Sequence, residues 1–325
     1  MLLVRHVSWI WKFSYHLSDI GPIYRIIQPI RRRWNLWIAR RLIAELAANP
    51  PDLIITTHFL PADVCSAGRK AGWLTAPLVV VVTDLYPHRF WISRDADALV
   101  VATEEGARVL RCYGVASERI HVIGIPIGKR FGEPADRTML RERFQLQPNR
   151  LTALVTSGGT TVGRFERVVD SLVSLETESP GTLQLLVVCG EDNAMRARLR
   201  RRAEQSPMPI RVFGFVDYMA ELMAASDLIV TKAGGLTISE ALGRRLPLIL
   251  YHVIPGQERV NARYVAQRGA ALIAHDPTDV VQAVRRCLEE PARLAAMRQA
   301  VQLLSRPDAA AAIVSHVIDP FLKST

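Results

Sequence analysis

Asp227-Leu-Ile-Val-Thr231-Lys-Ala-Gly-Gly-Leu-Thr-Ile-Ser-Glu240 decides the fold. A short apolar run from Leu228 to Thr231 reads as a strand, and it stops at the glycine pair Gly234 and Gly235. The residues after the pair read as a helix, so strand, glycine turn and helix follow one another as in a βαβ unit. Paired glycines let the backbone come close to a ligand, and the free amides at a helix start favour a phosphate. The plain alternative is a tight turn with Thr237 as an ordinary cap. Glu240, one turn into the helix, suits ribose hydroxyls, a task that a simple turn does not require.

Outward from that stretch, short β-branched runs alternate with amphipathic segments on both sides, as in parallel sheets with crossover helices. Upstream strands are expected at 52–57, 78–83, 98–103 and 119–123. Gly124, Pro126, Gly128, Gly132 and Pro134 then crowd into a linker. Further strands are expected at 152–156, 183–189, 210–213, 228–231, 247–251 and 270–273, and closing helices from Asp276 onward. At 325 residues and 49% hydrophobic content the chain has room for two cores. The expectation is an α/β protein of two doubly wound, Rossmann-like domains, 1–130 and 131–325, with the last helix packing back on the first. Ligands of such folds bind at the carboxyl edges of the sheets. Four strands upstream against six downstream suggest that the first domain is incomplete, its first one or two βα units lying before Met1.

The net charge is +10, and the first 41 residues carry eight Arg or Lys against one acid, Asp19. Four of the six tryptophans, Trp9, Trp11, Trp34 and Trp37, fall in the same stretch. Basic side chains are drawn to anionic headgroups and indoles settle at the headgroup boundary, so residues 1–41 read as a segment resting on an anionic membrane. The alternative is a basic helix whose tryptophans pack onto the domain behind it. No nucleic-acid-binding signature accompanies the basic residues, which excludes nucleic acid as the expected partner. No apolar run is long enough to span a bilayer, and Arg5, His6 and Lys12 interrupt any signal peptide. Cys65, Cys112, Cys189 and Cys287 are widely spaced, which suggests neither disulfides nor zinc. A cytoplasmic protein, peripheral on the inner face of the cell membrane, is expected.

The next motif is Ile254-Pro-Gly-Gln-Glu-Arg-Val-Asn-Ala262. Its Pro-Gly turn presents Gln257 and Glu258 at a helix start, where an amide beside a carboxylate suits the donors and acceptors of sugar hydroxyls. Together with the glycine pair it describes a nucleotide-sugar pocket.

In these motifs the run 212–273 closely resembles the donor half of family 28 glycosyltransferases of the GT-B fold, in the branch of monogalactosyldiacylglycerol synthases and processive diacylglycerol glucosyltransferases. The resemblance extends upstream through Pro51-Asp-Leu-Ile-Ile-Thr-Thr57, Val82-Thr-Asp84 with His88 and Trp91, and Gly124-Ile-Pro-Ile127. It implies that Phe215, in Gly214-Phe-Val-Asp-Tyr-Met219, meets uracil through its backbone, that Thr237 meets a phosphate and Glu240 the ribose, and that Gln257 and Glu258 hold the sugar. Met219, Gly234, Gly235 and Asn261 belong to the same donor motifs. Ser157, Gly158 and Gly159 resemble the family's other glycine-rich loop. The family's amino-terminal glycine-rich loop with its histidine has no counterpart here. The arginine that often follows the Gly-Xaa-Pro-Ile element is Gly128, leaving Lys129 or Arg130 for diphosphate charge.

The resemblance implies an inverting transfer of a hexose from a UDP-sugar to a lipid such as diacylglycerol. Helix amino ends and Lys232 would stabilise the leaving diphosphate, so no metal or other cofactor is expected. Asp84 and His88 are the catalytic candidates, with a capping carboxylate and a packed loop histidine as the alternatives. Asp95-Ala-Asp97 matches a metal-binding DxD, but it precedes its strand and is expected at the amino edge, away from the site. A catalytically impaired UDP-sugar-binding subunit, or a transferase acting on another lipid or a polyprenyl-linked sugar, stays open.

Overall fold

The computed structural model describes residues 21–156 and 165–323, and within these the chain divides into two compact units. The first holds the described residues up to Pro126, then Pro255–Val260 and the segment from Asp308; the second holds Ile127–Ile254 and Asn261–Pro307. The chain thus changes unit at Pro126, ahead of the expected 130/131 boundary, and residues 127–130 belong with the second unit.

In the first unit, α1 (Gly21–Ile38) and α2 (Arg40–Ala48) lead into β1 (Ile54–Thr56), α3 (Phe59–Ala71), β2 (Leu78–Val81), β3 (Ala98–Val101), α4 (Glu104–Cys112) and β4 (Ile120–Val122). The four strands pair in parallel in the order β1-β2-β3-β4. Every residue of β2 and β3 is buried, as expected of a parallel sheet covered on both faces. Thr103 caps α4 by accepting from the Gly106 amide at 3.0 Å, and its hydroxyl donates to the Leu85 carbonyl at 2.8 Å. The Asp97 carboxylate accepts from the Leu78 amide at 2.7 Å and from Arg69 at 3.0 Å, while Asp95 accepts from Ser66 at 2.8 Å. Asp97 therefore pins the start of β2, and Asp95 ties the same turn to α3.

The second unit contains α5 (Arg137–Arg143), β5 (Leu151–Thr156), α6 (Phe165–Glu178), β6 (Leu183–Val188), α7 (Asn193–Glu204), β7 (Ile210–Phe213), α8 (Met219–Ala225), β8 (Leu228–Thr231), α9 (Gly235–Gly243), β9 (Leu248–Tyr251), α10 (Gln257–Gln267), β10 (Ala271–Ala274), α11 (Pro277–Glu289) and α12 (Pro291–Leu304), with the first turn of α10 counted in the first unit. Its strand order is β10-β9-β8-β5-β6-β7, all parallel. Succession runs outward from β5 to β7 and then resumes at β8 on the other side of β5. The β5/β8 boundary is the topological switch point, where such sheets open a crevice at their carboxyl edge. The one polar side chain buried inside β6, Gln184, is satisfied by Thr152 Oγ1 and by the Gln147 carbonyl and amide, each at 2.9 Å.

The last helices, α13 (Ala309–Ile313) and α14 (Asp319–Leu322), rejoin the first unit, where Ile313 and Val317 pack against Val79, Val81, Ala98 and Val100 of its sheet. That apolar surface gives the carboxyl-terminal segment its place.

Candidate functional site: a nucleotide-sugar pocket

At the switch point of the second unit, Thr156, Thr231, Lys232 and Tyr251 line a crevice at the ends of β5, β8 and β9. Thr231 Oγ1 is buried there without a hydrogen-bond partner among the described residues, the kind of orphan a polar ligand satisfies. Lys232 is buried beside it. Helix α9 starts immediately beyond, with Gly234 as its N-cap and no side-chain cap bond. Thr237 is the third helical residue and not the cap. The first amides of α9 thus receive no cap bond from a side chain among the described residues, as in an anion-binding helix start.

Gly234 has φ −69° and ψ 136°, a conformation open to any residue. A Cβ built on it would meet nothing nearer than Thr237 Oγ1 at 4.0 Å. Neither backbone strain nor crowding explains the glycine; the space in front of it is open for a close approach. One turn along α9, burial pushes the Glu240 carboxyl up to about 7, opposed by the positive charge of Arg130. Arg130 also donates to the backbone carbonyl of Asp217, in the loop that carries Phe215. Phe215 is 76% exposed, an unusual setting for a phenylalanine, and Met219 begins α8 directly after the loop. Asn261 is buried on α10 and donates to the Ala233 carbonyl at 3.3 Å, which ties that helix to the glycine turn. Ser157, Gly158 and Gly159 lie outside the described residues.

In the first unit, Gln257, at the start of α10, donates to Asp84 Oδ2 at 2.7 Å, and Trp91 Nε1 donates to the same oxygen at 3.3 Å. Asp84 follows β2 at its carboxyl edge. Glu258, the next residue of α10, is half-buried and already engaged. His88 is buried, and its Nδ1 accepts from the Phe90 amide at 3.1 Å, which commits that nitrogen to capping a single turn. His58, which sequence reasoning passed over, is exposed at the end of β1. Its Nδ1 accepts from the Leu60 amide at 3.2 Å, and its ring stands edge-on to Trp91 at 6.5 Å. The available signal was its place, two residues beyond a strand. Nothing in the sequence could signal the Gln257–Asp84 bond, whose partners are 173 residues apart.

Residues 152–313 match the family model of the glycosyltransferase family 28 C-terminal domain, and residues 2–127 that of monogalactosyldiacylglycerol (MGDG) synthase. The MnaA–UDP co-structure from S. aureus matches with a TM-score of 0.67 at 16% identity, covering 90% of this chain and 82% of that one. MurG of Acinetobacter baumannii matches with a TM-score of 0.61 at 18% identity, covering 90% and 77%. Two parallel doubly wound sheets and these structural neighbours give the GT-B fold, and the family 28 match makes the chain a glycosyltransferase of that fold. A processive diacylglycerol beta-glucosyltransferase of Bacillus cereus is 32% identical over 284 residues, 87% of this chain and 70% of the relative. The chain belongs to this family, the GT-B hexosyltransferases that comprise the MGDG synthases and processive diacylglycerol glucosyltransferases.

Proposed function

We propose that the chain transfers a hexose from a UDP-sugar to the hydroxyl of a diacylglycerol-type lipid at a membrane surface, with inversion at the anomeric carbon. The donor side rests on the open space before Gly234, the uncapped start of α9 and the carboxylate of Glu240. The observation that carries the catalytic side is the 2.7 Å bond from Gln257 to Asp84. It sets the amide suited to the donor sugar beside a carboxylate suited to deprotonating an acceptor. In the reaction the lipid hydroxyl gives its proton to Asp84 as its oxygen attacks the anomeric carbon, and the bond from that carbon to the diphosphate breaks on the opposite face. Lys232 and the amides of α9 meet the charge on the departing UDP without a metal. His88, whose Nδ1 caps the turn before Trp91, supports the Asp84 loop.

Helix α1 supports the membrane reading. Ile26, Ile30, Trp34 and Trp37, three or four residues apart, are 70%, 68%, 60% and 59% exposed along one face. Arg25, Arg33, Arg40 and Arg41 are exposed around them, with Arg40 over the Trp37 ring. Apolar and aromatic side chains in a frame of arginines match an anionic bilayer surface. No helix among the described residues is long and apolar enough to cross a membrane. Trp9 and Trp11 lie outside the described residues.

Radiolabelled UDP-glucose and UDP-galactose, offered with diacylglycerol in mixed micelles, test the reaction. A β-linked glycolipid is the expected product, and Asp84→Asn should lower kcat by about 100-fold or more with donor affinity kept. Donor binding without turnover on any lipid would instead make the chain a UDP-sugar-binding subunit. Trp34→Ser with Trp37→Ser should weaken sedimentation with anionic vesicles; unchanged sedimentation would remove α1 from the membrane contact.

A further inference from the structure

Residues 127–133 read as linker in the sequence, yet they are built into the donor unit. Gly243, at the end of α9, lies under Ile127 and Phe131, where a Cβ would come within 2.8 Å of Ile127 Cδ1 and 3.1 Å of the Phe131 carbonyl oxygen. Arg244 donates to the carbonyls of Arg130 and, at 2.6 Å, Glu133. This clamp fixes the backbone of Arg130 against α9. From there the exposed Arg130 side chain reaches in two directions, by hydrogen bond to the Asp217 carbonyl and by charge to Glu240.

Of the other charged groups packed near α9, Lys129 faces Glu133 at 3.3 Å. Glu133 and Glu221 act on Arg244, and on the neighbouring α12 Arg293 pairs with Glu290 and Arg298 with Asp227. Arg130 is therefore the cation that addresses the ribose carboxylate. The same guanidinium bonds the backbone of the loop that carries Phe215.

We propose that Arg130 is a positioning residue for the donor nucleoside, holding the loop that faces uracil and the ionised carboxylate that faces ribose in one arrangement. This rests on the donor pocket proposed above and gives Arg130 a task distinct from neutralising the diphosphate. A cation directed at diphosphate would aid UDP and leave uridine indifferent. A cation that orders the nucleoside half aids both.

The experiment is calorimetric titration of the full chain with UDP-glucose and with uridine between pH 5.5 and 8.5, for the wild type and for Arg130→Gln, Arg130→Lys and Glu240→Ala. Arg130→Gln should weaken both ligands about tenfold at pH 7 and move the midpoint of their pH dependence upward, because Glu240 loses the charge that favours its ionised form. Arg130→Lys should restore the midpoint and recover part of the affinity. If Arg130→Gln weakens UDP-glucose alone, or leaves the midpoint in place, the inference is overturned. An unchanged affinity in Glu240→Ala would overturn the donor pocket itself, which separates the two failures. Matched thermal melts show whether each variant is folded, and Arg130→Lys keeps the test decisive should Arg130→Gln not fold.

Discussion

At Gly234 the backbone asks for no glycine and the surrounding atoms leave room for a side chain, so the donor pocket proposed assigns its identity to ligand approach. Gly234→Val should change unfolding stability by no more than about 0.5 kcal/mol in urea titration. UDP-glucose binding should nonetheless be lost in calorimetry; a variant that binds normally would place the diphosphate elsewhere. Glu240 sets a pH dependence. Its carboxyl is raised from 4.5 to about 7 by burial, and in the donor pocket proposed the ribose hydroxyls are to donate to the ionised form. Affinity for UDP-glucose, whose diphosphate does not titrate in this range, should fall by about tenfold from pH 8 to pH 6, and Glu240→Gln should flatten the profile. Without ligand the sign is opposite: the contribution of Glu240 to stability is full below pH 4.5 and is lost as pH rises through about 7.

Among the elements, α1 has two faces with different tasks. One is exposed and apolar; the other is fastened to α3 through Asp63, a buried carboxylate that accepts from Asn35 at 2.9 Å and faces Arg32 at 3.4 Å and Arg31 at 3.6 Å. Arg31 in turn lies over the Phe90 ring at 4.5 Å, and burial raises the Tyr24 hydroxyl nearby. Removing the carboxylate leaves guanidinium groups buried without their counter-charge. Asp63→Ala should therefore cost about 3 kcal/mol in chemical denaturation and open the arginines of α1 to trypsin. If trypsin cuts the variant no faster than the wild type, Asp63 is not what holds the helix.

For the whole molecule, the chemistry proposed predicts catalysis without a metal, with Lys232 and the start of α9 given the task that a divalent ion performs in DxD enzymes. Both acids of Asp95-Ala-Asp97 are already bonded to Ser66, Arg69 and the Leu78 amide. Glycosyl transfer should keep its rate within about twofold in excess EDTA, and a loss restored by magnesium or manganese would assign the diphosphate charge to a metal. The sequence by itself determined the ten strands of the described residues, their parallel pairing and the division into two sheets, because each buried strand is a short apolar run bounded by turn residues. It also marked the glycine turn and Glu240, which lie within ten residues of one another. Only the tertiary structure decided that residues 127–133 are clamped to α9 and that Gln257 bonds Asp84. These are contacts between side chains and backbone far apart in the chain. Their partners are chosen by how the packed helices and sheets meet, and no local spacing records that choice.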